Sequence, residues 1–289
     1  LSAKCPVYVA PAMDLDMYRH ASSKTSMSTL QSYGNIIIPA EVGELASGLV
    51  GAGRMAEPAT IVKFIESHIL EGLPLYQKKI LITAGPTYEA IDPVRFIGNH
   101  SSGKMGFEIA KAASNLGAEV RLITGPTHQK ISSNLITVIP VVSAQEMYEQ
   151  VHQFYENCDI AILSAAVADY KIKFISNQKI KKEEHSLTLE LEKTQDILAS
   201  LGKLKNNQLL VGFALETDNE ITNAIKKLKN KNLDLIVLNS LSDKGAGFGT
   251  NTNKVTLIKR DLSTTNFPLK SKAEVSKDIL NEILKLIDA

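Results

Sequence analysis

Three stretches of this 289-residue chain carry residue types suited to handling phosphate. The first is PTYEAIDPVRFIGNH (86–100) running into SSGKMG (101–106). A helix is expected to start near Ser102, so that serine hydroxyls and backbone N–H groups at its first turn face an anion. The second is SAAVADY (164–170), where the small residues Ala165 and Ala166 would let a flat base approach the backbone. Asp169 in that stretch can hold a ribose hydroxyl or a phosphate-bound metal ion. The third is KIKK (179–182), a run of movable point charges, to which Lys227 and Lys231 add two more, four apart on one helix face. Each feature alone has an ordinary reading: alanines that pack closely, an aspartate that caps a turn, lysines in water. Together they point to a nucleoside triphosphate.

Two familiar phosphate motifs do not fit. Gly98 to Lys104 matches the first seven positions of a P-loop, but Met105 stands where Ser or Thr must ligate magnesium, and no strand runs directly into the motif. A dinucleotide fingerprint needs an acidic residue at the end of the second strand, and here that strand ends Ile123-Thr124-Gly125-Pro126. A nicotinamide oxidoreductase is therefore disfavoured, and the lack of a Gly-x-Ser-x-Gly elbow disfavours a serine hydrolase.

The elements that must position these residues form a regular series from Lys79 onward. KILITAG, EVRLITG, DIAILSA, LLVGFAL and DLIVLNS are short apolar runs that read as strands, with helices expected over 102–117, 144–157, 194–204 and 217–232. Alternation of this kind gives an α/β fold with a mostly parallel, Rossmann-like sheet, whose ligands bind beyond the carboxyl ends of the strands. NKVTLIKRD (253–261) is expected as an extra edge strand and 271–288 as a closing helix. Before Lys79, residues 6–10 and 36–39 read as strands, a helix is expected through about Leu30, and Pro58 opens another after the glycine-rich stretch GELASGLVGAGRMAEP. Residues 71–78 read as a linker. The domains are expected at 1–74 and 75–289.

Composition sets outer limits. With 44% hydrophobic and 22% charged residues the chain is neither disordered nor collagenous. A net charge of +1 disfavours nucleic acid as a partner, and no apolar run is long enough for a membrane helix. Two cysteines, Cys5 and Cys158, make no disulfide framework or usual zinc site and point to a reducing, cytoplasmic location. The N-terminus does not read as a signal peptide, and the missing initiator Met suggests a fragment or a clipped chain.

GPTYEAIDPVRFIGNHSSGKMG, SAAVADY, KIKK, VGFALET and KKLKNKNLDLIVLN together resemble the phosphopantothenate–cysteine ligase domain of the bacterial bifunctional phosphopantothenoylcysteine decarboxylase/phosphopantothenate–cysteine ligases. The resemblance implies that CTP, with Mg2+, activates 4'-phosphopantothenate as an acyl-cytidylate, which cysteine then converts to the amide. It implies catalytic roles for Lys179, which would neutralise the triphosphate, and Asn99, which would orient the acyl-phosphate. It places Leu163, Ser164, Ala165, Asp169, Lys179, Gln195, Asp196, Ile197, Leu198, Phe213, Lys227 and Lys231 at the nucleotide, with Asp169 also near the magnesium ion. TQDIL stands at 194–198 where Asn-Pro-Asp is expected, which weakens that contact. A homodimer of the ligase domain is implied, with a higher oligomer through a complete decarboxylase domain.

PAMDLDMY and GELASGLVGAGRMAEP resemble the C-terminal part of the flavodoxin-like, FMN-dependent decarboxylase domain, whose first half is expected to be absent. This remnant departs from the family pattern at Asp14, where Asn is expected, at Ser47, where a cysteine protonates the reduced intermediate, and at Tyr18, where Trp is expected. A serine hydroxyl is far less acidic than a thiol, so no decarboxylation is expected from this chain alone. Two competing readings follow: a flavin-dependent lyase only, or a front segment that serves oligomerisation without catalysis. His20, His68, His152 and His185 lack metal-ligand spacing and read as surface or packing residues, and no role is evident for His100.

Overall fold

The computed structural model describes residues 3–181, 187–216, 218–240 and 249–287. Lys182 of the KIKK run, His185 and Thr217 lie outside them. The chain divides into two compact units, Leu1–Leu73 and Pro74–Ala289.

In the second unit the strands are β1 (Lys79–Ala84), β2 (Glu119–Thr124), β3 (Ile136–Pro140), β4 (Ile160–Leu163), β5 (Leu209–Glu216), β6 (Leu235–Ser240), β7 (Val255–Lys259) and β8 (Thr264–Asn266). They form one sheet in the order β3-β2-β1-β4-β5-β6-β7-β8. The first six are parallel, and β7 and β8 return antiparallel. The five apolar runs of the sequence are β1, β2, β4, β5 and β6. The central strands are buried on both faces, as continuous apolar runs in a parallel sheet should be. Ile80 and Ile82 pack on one side with α1 (Lys104–Asn115) and α5 (Lys272–Ile287), while Leu81 packs on the other. That second face is covered by α2 (Ala144–Tyr155), α3 (Ile197–Leu204) and α4 (Glu220–Asn230). Strand order reverses between β1 and β4, which opens a crevice beyond their carboxyl ends.

Several expectations need correction. The 253–261 segment is not the edge of the sheet, because β8 pairs outside it. Within the 71–78 linker, Leu75 is fully buried and its N–H donates to the Leu116 carbonyl at 2.8 Å. The long loop after β1 contains a two-stranded hairpin, Glu89–Ala90 with Phe96–Ile97. α1 begins at Lys104 rather than Ser102, behind Gly103, which adopts a φ of 76° that a side chain would resist.

The first unit has a short parallel pair, Tyr8–Val9 with Ile36–Ile37, and helices Leu15–Arg19, Ala21–Ser32 and Pro58–Glu71. The single helix expected through Leu30 is broken at His20, whose backbone is extended. The glycine-rich stretch is not a plain loop but a hairpin, Glu41–Glu44 with Val50–Arg54. A Cβ at Gly53 would sit 2.4 Å from the Met13 carbonyl oxygen, so glycine there lets the hairpin lie against the segment entering the first helix.

Candidate functional site

Beyond the ends of β1 and β4 the backbone continues to pair. The Ala166 N–H donates to the Gly85 carbonyl at 2.9 Å, and the Thr87 N–H donates back to Ala166 at 3.2 Å. Side chains reinforce this seam. Ser164 Oγ donates to the Thr83 carbonyl at 2.6 Å, the Ala165 N–H to Thr83 Oγ1 at 3.2 Å, and the Ala168 N–H to Thr87 Oγ1 at 2.9 Å. The mouth of the crevice is thereby fixed by residues with little conformational freedom.

Two cavities open there. One, of about 440 Å³, is lined by Leu163 and Ala165 from the end of β4, by Gln195, Asp196, Ile197 and Leu198 at the start of α3, and by Lys231. The other, of about 390 Å³, is lined by Asn99, by Ser101, Ser102 and Lys104 at the start of α1, by Ser164, and by Asn239, Asn253 and Lys272. Ala165, Val167, Asp169, Phe213 and Lys227 line both. Lys179 lines neither cavity and is exposed.

The charges at this junction are held in place. Lys227 Nζ donates to the Phe213 carbonyl at 2.9 Å. Burial pushes its pKa below the ordinary lysine value and the neighbouring Lys231 charge pushes the same way, against the pull of Glu216, Asp196 and Asp169. Lys231 pairs with Asp196 at 2.6 Å, and Asp196 also caps α3 by accepting from the Ala199 N–H at 2.9 Å. Burial alone would raise the Asp196 pKa, but the Lys231 and Ala199 hydrogen bonds and the two lysine charges carry it below the usual range. Where TQDIL departs from the pattern of the resemblance, Thr194 does structural work: its N–H donates to the Asp169 carbonyl at 3.0 Å and its hydroxyl to Ala168 at 2.6 Å.

Asn99 is pinned at both ends of its amide. Nδ2 donates to the Ala166 carbonyl at 2.5 Å, and Oδ1 accepts from the Ser101 N–H at 3.0 Å. Some of the donors expected at the helix start are therefore used locally, and the Gly103 N–H likewise bonds Ser101 Oγ at 3.3 Å. Lys104 and Lys272 compensate in the second cavity. Lys104 Nζ donates to Asn251 Oδ1 at 2.7 Å. Lys272 is only 5% exposed, and burial together with the Lys104 charge pushes its pKa down. Sequence reasoning passed over Lys272, because a lysine opening a terminal helix looks like any solvated charge. It also passed over Asp92 and Arg95, although Asp-x-x-Arg in a long strand-end loop was a usable signal for a turn closed by its own side chains.

Among the described residues no group of three His, Cys, Asp or Glu side chains could hold a metal ion, and no helix is long and apolar enough to cross a membrane. His20 caps a helix by accepting from the Ser22 N–H, His68 meets Tyr8 edge-on, and His152 stacks on Tyr148.

The model of the DNA/pantothenate metabolism flavoprotein C-terminal domain matches residues 75–287, and the Flavoprotein model matches residues 1–70. A coenzyme A biosynthesis bifunctional protein CoaBC from Bacillus subtilis is 48% identical over 99% of this chain and 71% of its own length. The chain belongs to the CoaBC family. A solved C-terminal domain of a coenzyme A biosynthesis bifunctional protein CoaBC superposes with a TM-score of 0.65 at 44% identity, covering 75% of this chain and 99% of that one. A relative from an unknown prokaryotic organism, named cysteine/cysteine sulfinic acid decarboxylase, is 53% identical over 99% of this chain and 81% of its own length. Both units of the chain thus fall within CoaBC-like proteins, with the two cavities in the part that matches the C-terminal domain.

Proposed function

We propose that the Pro74–Ala289 unit is a phosphopantothenate–cysteine ligase of coenzyme A biosynthesis that uses CTP. The carrying observation is the common wall of Asp169, Phe213 and Lys227 between two cavities. One cavity has the size and charge for a nucleotide, the other for an acyl substrate with a phosphate at its far end. A carboxylate in the second cavity meets the α-phosphate of a nucleotide in the first at that wall. Its oxygen attacks the α-phosphorus, pyrophosphate leaves, and an acyl-cytidylate forms. The cysteine amine then attacks the acyl carbon, loses a proton and displaces CMP.

Both steps join or separate anions, so fixed positive charge and oriented donors lower the barrier. Lys227 and Lys231 meet the phosphates, and Lys179 adds charge from its loop. Asn99 holds the acyl-phosphate through an amide already oriented by Ala166 and Ser101. With the Ala165 N–H committed to Thr83, base reading at that position falls to its carbonyl, which suits the exocyclic amine of cytosine. Lys104 and Lys272 suit the phosphate of phosphopantothenate. Asp169 supplies one carboxylate, which fits a magnesium ion held chiefly by phosphate oxygens. A second copy of this unit is the proposed partner. Val94, Phe96, Phe174 and Ile175 are each more than half exposed on the loops beside Lys179, a surface that sedimentation of the unit would test.

The first unit supports a second reading, because the Flavoprotein match covers it and the 53% identical relative is named a decarboxylase. FMN belongs to that part of the family. Leu1–Leu73 buries Pro11, Ile38, Leu45, Gly53 and Ala56 among its described residues, too small a core to enclose a flavin by itself. Asp14 caps a helix through the Leu15 N–H at 2.6 Å, and Ser47 is exposed. The ligase reading is tested by mass detection of the cysteine amide and CMP from phosphopantothenate, cysteine and CTP. Amide formation without CMP would contradict it.

A further inference from the structure

Lys179 sits on a segment with no helix or strand of its own, and its side chain is long and flexible. Such a lysine contributes to a transition state only if its backbone is held. The structure holds it through a buried carboxylate 88 residues away in sequence. Asp92 Oδ2 accepts from the Ile180 N–H at 3.1 Å, and Arg95 Nη2 donates to the Ile180 carbonyl at 2.7 Å. Asp92 and Arg95 thus grip both polar groups of the residue that follows Lys179. On the other side, the Ser176 N–H donates to the Ile91 carbonyl at 3.1 Å, so the loop is fastened before and after Lys179.

The clamp is more than the turn requires. The Asp92 side chain is fully enclosed, and an enclosed carboxylate is costly unless it is paired and bonded. Two of its donors, the Val94 N–H at 2.8 Å and the Arg95 N–H at 2.9 Å, close its own turn, a task a neutral Asn also performs. The charge is matched by Arg95, which binds Oδ2 through Nε at 3.0 Å and Nη2 at 2.5 Å and then reaches on to Ile180. Burial alone would raise the Asp92 pKa, but Arg95 and the three N–H donors hold it well below the usual carboxylate range, so the pair stays ionised at working pH. The same hairpin runs from Phe96–Ile97 directly to Asn99.

We propose that Asp92, with Arg95, is the positioning residue for Lys179, and that the 89–97 hairpin sets Lys179 and Asn99 in one frame. This rests on the reading of Lys179 as the residue that neutralises the triphosphate. Asp92 does not touch substrate; it acts through the backbone of Ile180.

A double-mutant cycle on the full chain tests it, reading pyrophosphate release with saturating phosphopantothenate, CTP affinity by calorimetry and thermal denaturation. Asp92→Asn should slow release about a hundredfold, the scale set by small misplacements, while CTP affinity stays within about threefold. In the Lys179→Gln background the same change should cost less than about threefold, because residues that act as one unit are not additive. Arg95→Lys keeps the charge but loses the planar fork, and gives the same pattern if Asp92→Asn does not fold. Additive losses, or loss of CTP affinity in step with turnover, would overturn the inference and leave Asp92 a structural residue. If Lys179→Gln slows the reaction while Asp92→Asn and Arg95→Lys do not, the inference alone falls. If Lys179→Gln turns over like the wild type, the reading of Lys179 falls and the inference with it.

Discussion

Lys227 Nζ hydrogen-bonds the Phe213 carbonyl across 2.9 Å, and both residues line both cavities. One ammonium group, held on a mid-strand carbonyl of β5 by a helix that packs against that strand, thereby sits in the wall shared by the two cavities. Lys227 is half-buried, and it is the desolvation of its charged end that makes it easier to deprotonate than an ordinary lysine.

Removing that charge while keeping the stem should cost nucleotide binding more than fold. Lys227→Met should weaken CTP about ten- to a hundredfold, the worth of a charge-assisted hydrogen bond. Because burial lowers the Lys227 pKa, the folded protein binds fewer protons than the unfolded chain between the two values, so this group favours folding as pH rises through that window. A bound triphosphate raises the pKa again. CTP binding should therefore take up protons at alkaline pH, measured by calorimetry in buffers of different ionisation enthalpy, and Lys227→Met should abolish the uptake.

On the proposed reaction, the two steps should separate at different residues. Lys179→Gln should slow acyl-cytidylate formation about a hundredfold or more, as loss of one electrostatic donor does elsewhere. Asn99→Asp loses the donor to Ala166 and sets a carboxylate against that carbonyl. The first step should survive and the acyl-cytidylate accumulate, which quenched-flow and mass detection would reveal. Wild-type turnover in both variants would remove these assignments.

Gly202 tests how tightly α3 and the end of α4 are joined. A Cβ there would lie 2.1 Å from the Lys231 carbonyl oxygen, which is backbone and has no room to yield. Gly202→Ala should destabilise the unit by about 1–3 kcal/mol and weaken CTP, because the displaced segment carries Lys231 away from Asp196. Melting temperature and CTP affinity measured together check both effects.

Glu282 joins α5 to the sheet. It pairs with Lys259 at 2.8 Å and with Lys285 at 2.5 Å, and these partners, Lys259 first, pull its pKa below the usual value. A carboxylate depressed in the folded state adds stability that is present above its unfolded pKa of about 4.3 and is lost as pH falls through the lower folded value. Glu282→Gln should lower the melting temperature at pH 7, and the difference should shrink only in acid. A gap that stays constant down to pH 3 would contradict this.

The sheet was legible where its strands are buried on both faces, because KILITA or IAIL can be little else at that length with helices between. Ile136–Pro140 was not, since an edge strand that alternates weakly and ends in proline carries no distinct signal. The hairpin at 89–97 was hidden by its two-residue strands, yet it fastens the Lys179 loop and leads to Asn99. On the candidate site, most of the residues that the resemblance assigned to a nucleotide line one cavity, although they come from separate stretches of sequence. Lys272 became visible only when α5 folded back over α1 and set two lysines on one cavity, a pairing 168 residues apart that no local pattern encodes. Lys179 marks the opposite case: the motif placed it at the phosphates, and the structure sets it outside both cavities on a tethered loop.

The most direct test of the ligase assignment is pyrophosphate release from this chain with phosphopantothenate, comparing CTP with ATP, before and after cysteine is added. If the two cavities hold CTP and phosphopantothenate, release with CTP requires phosphopantothenate but not cysteine, and CMP follows when cysteine is supplied. Release that requires cysteine from the outset, or none with either nucleotide from a folded protein, would contradict it.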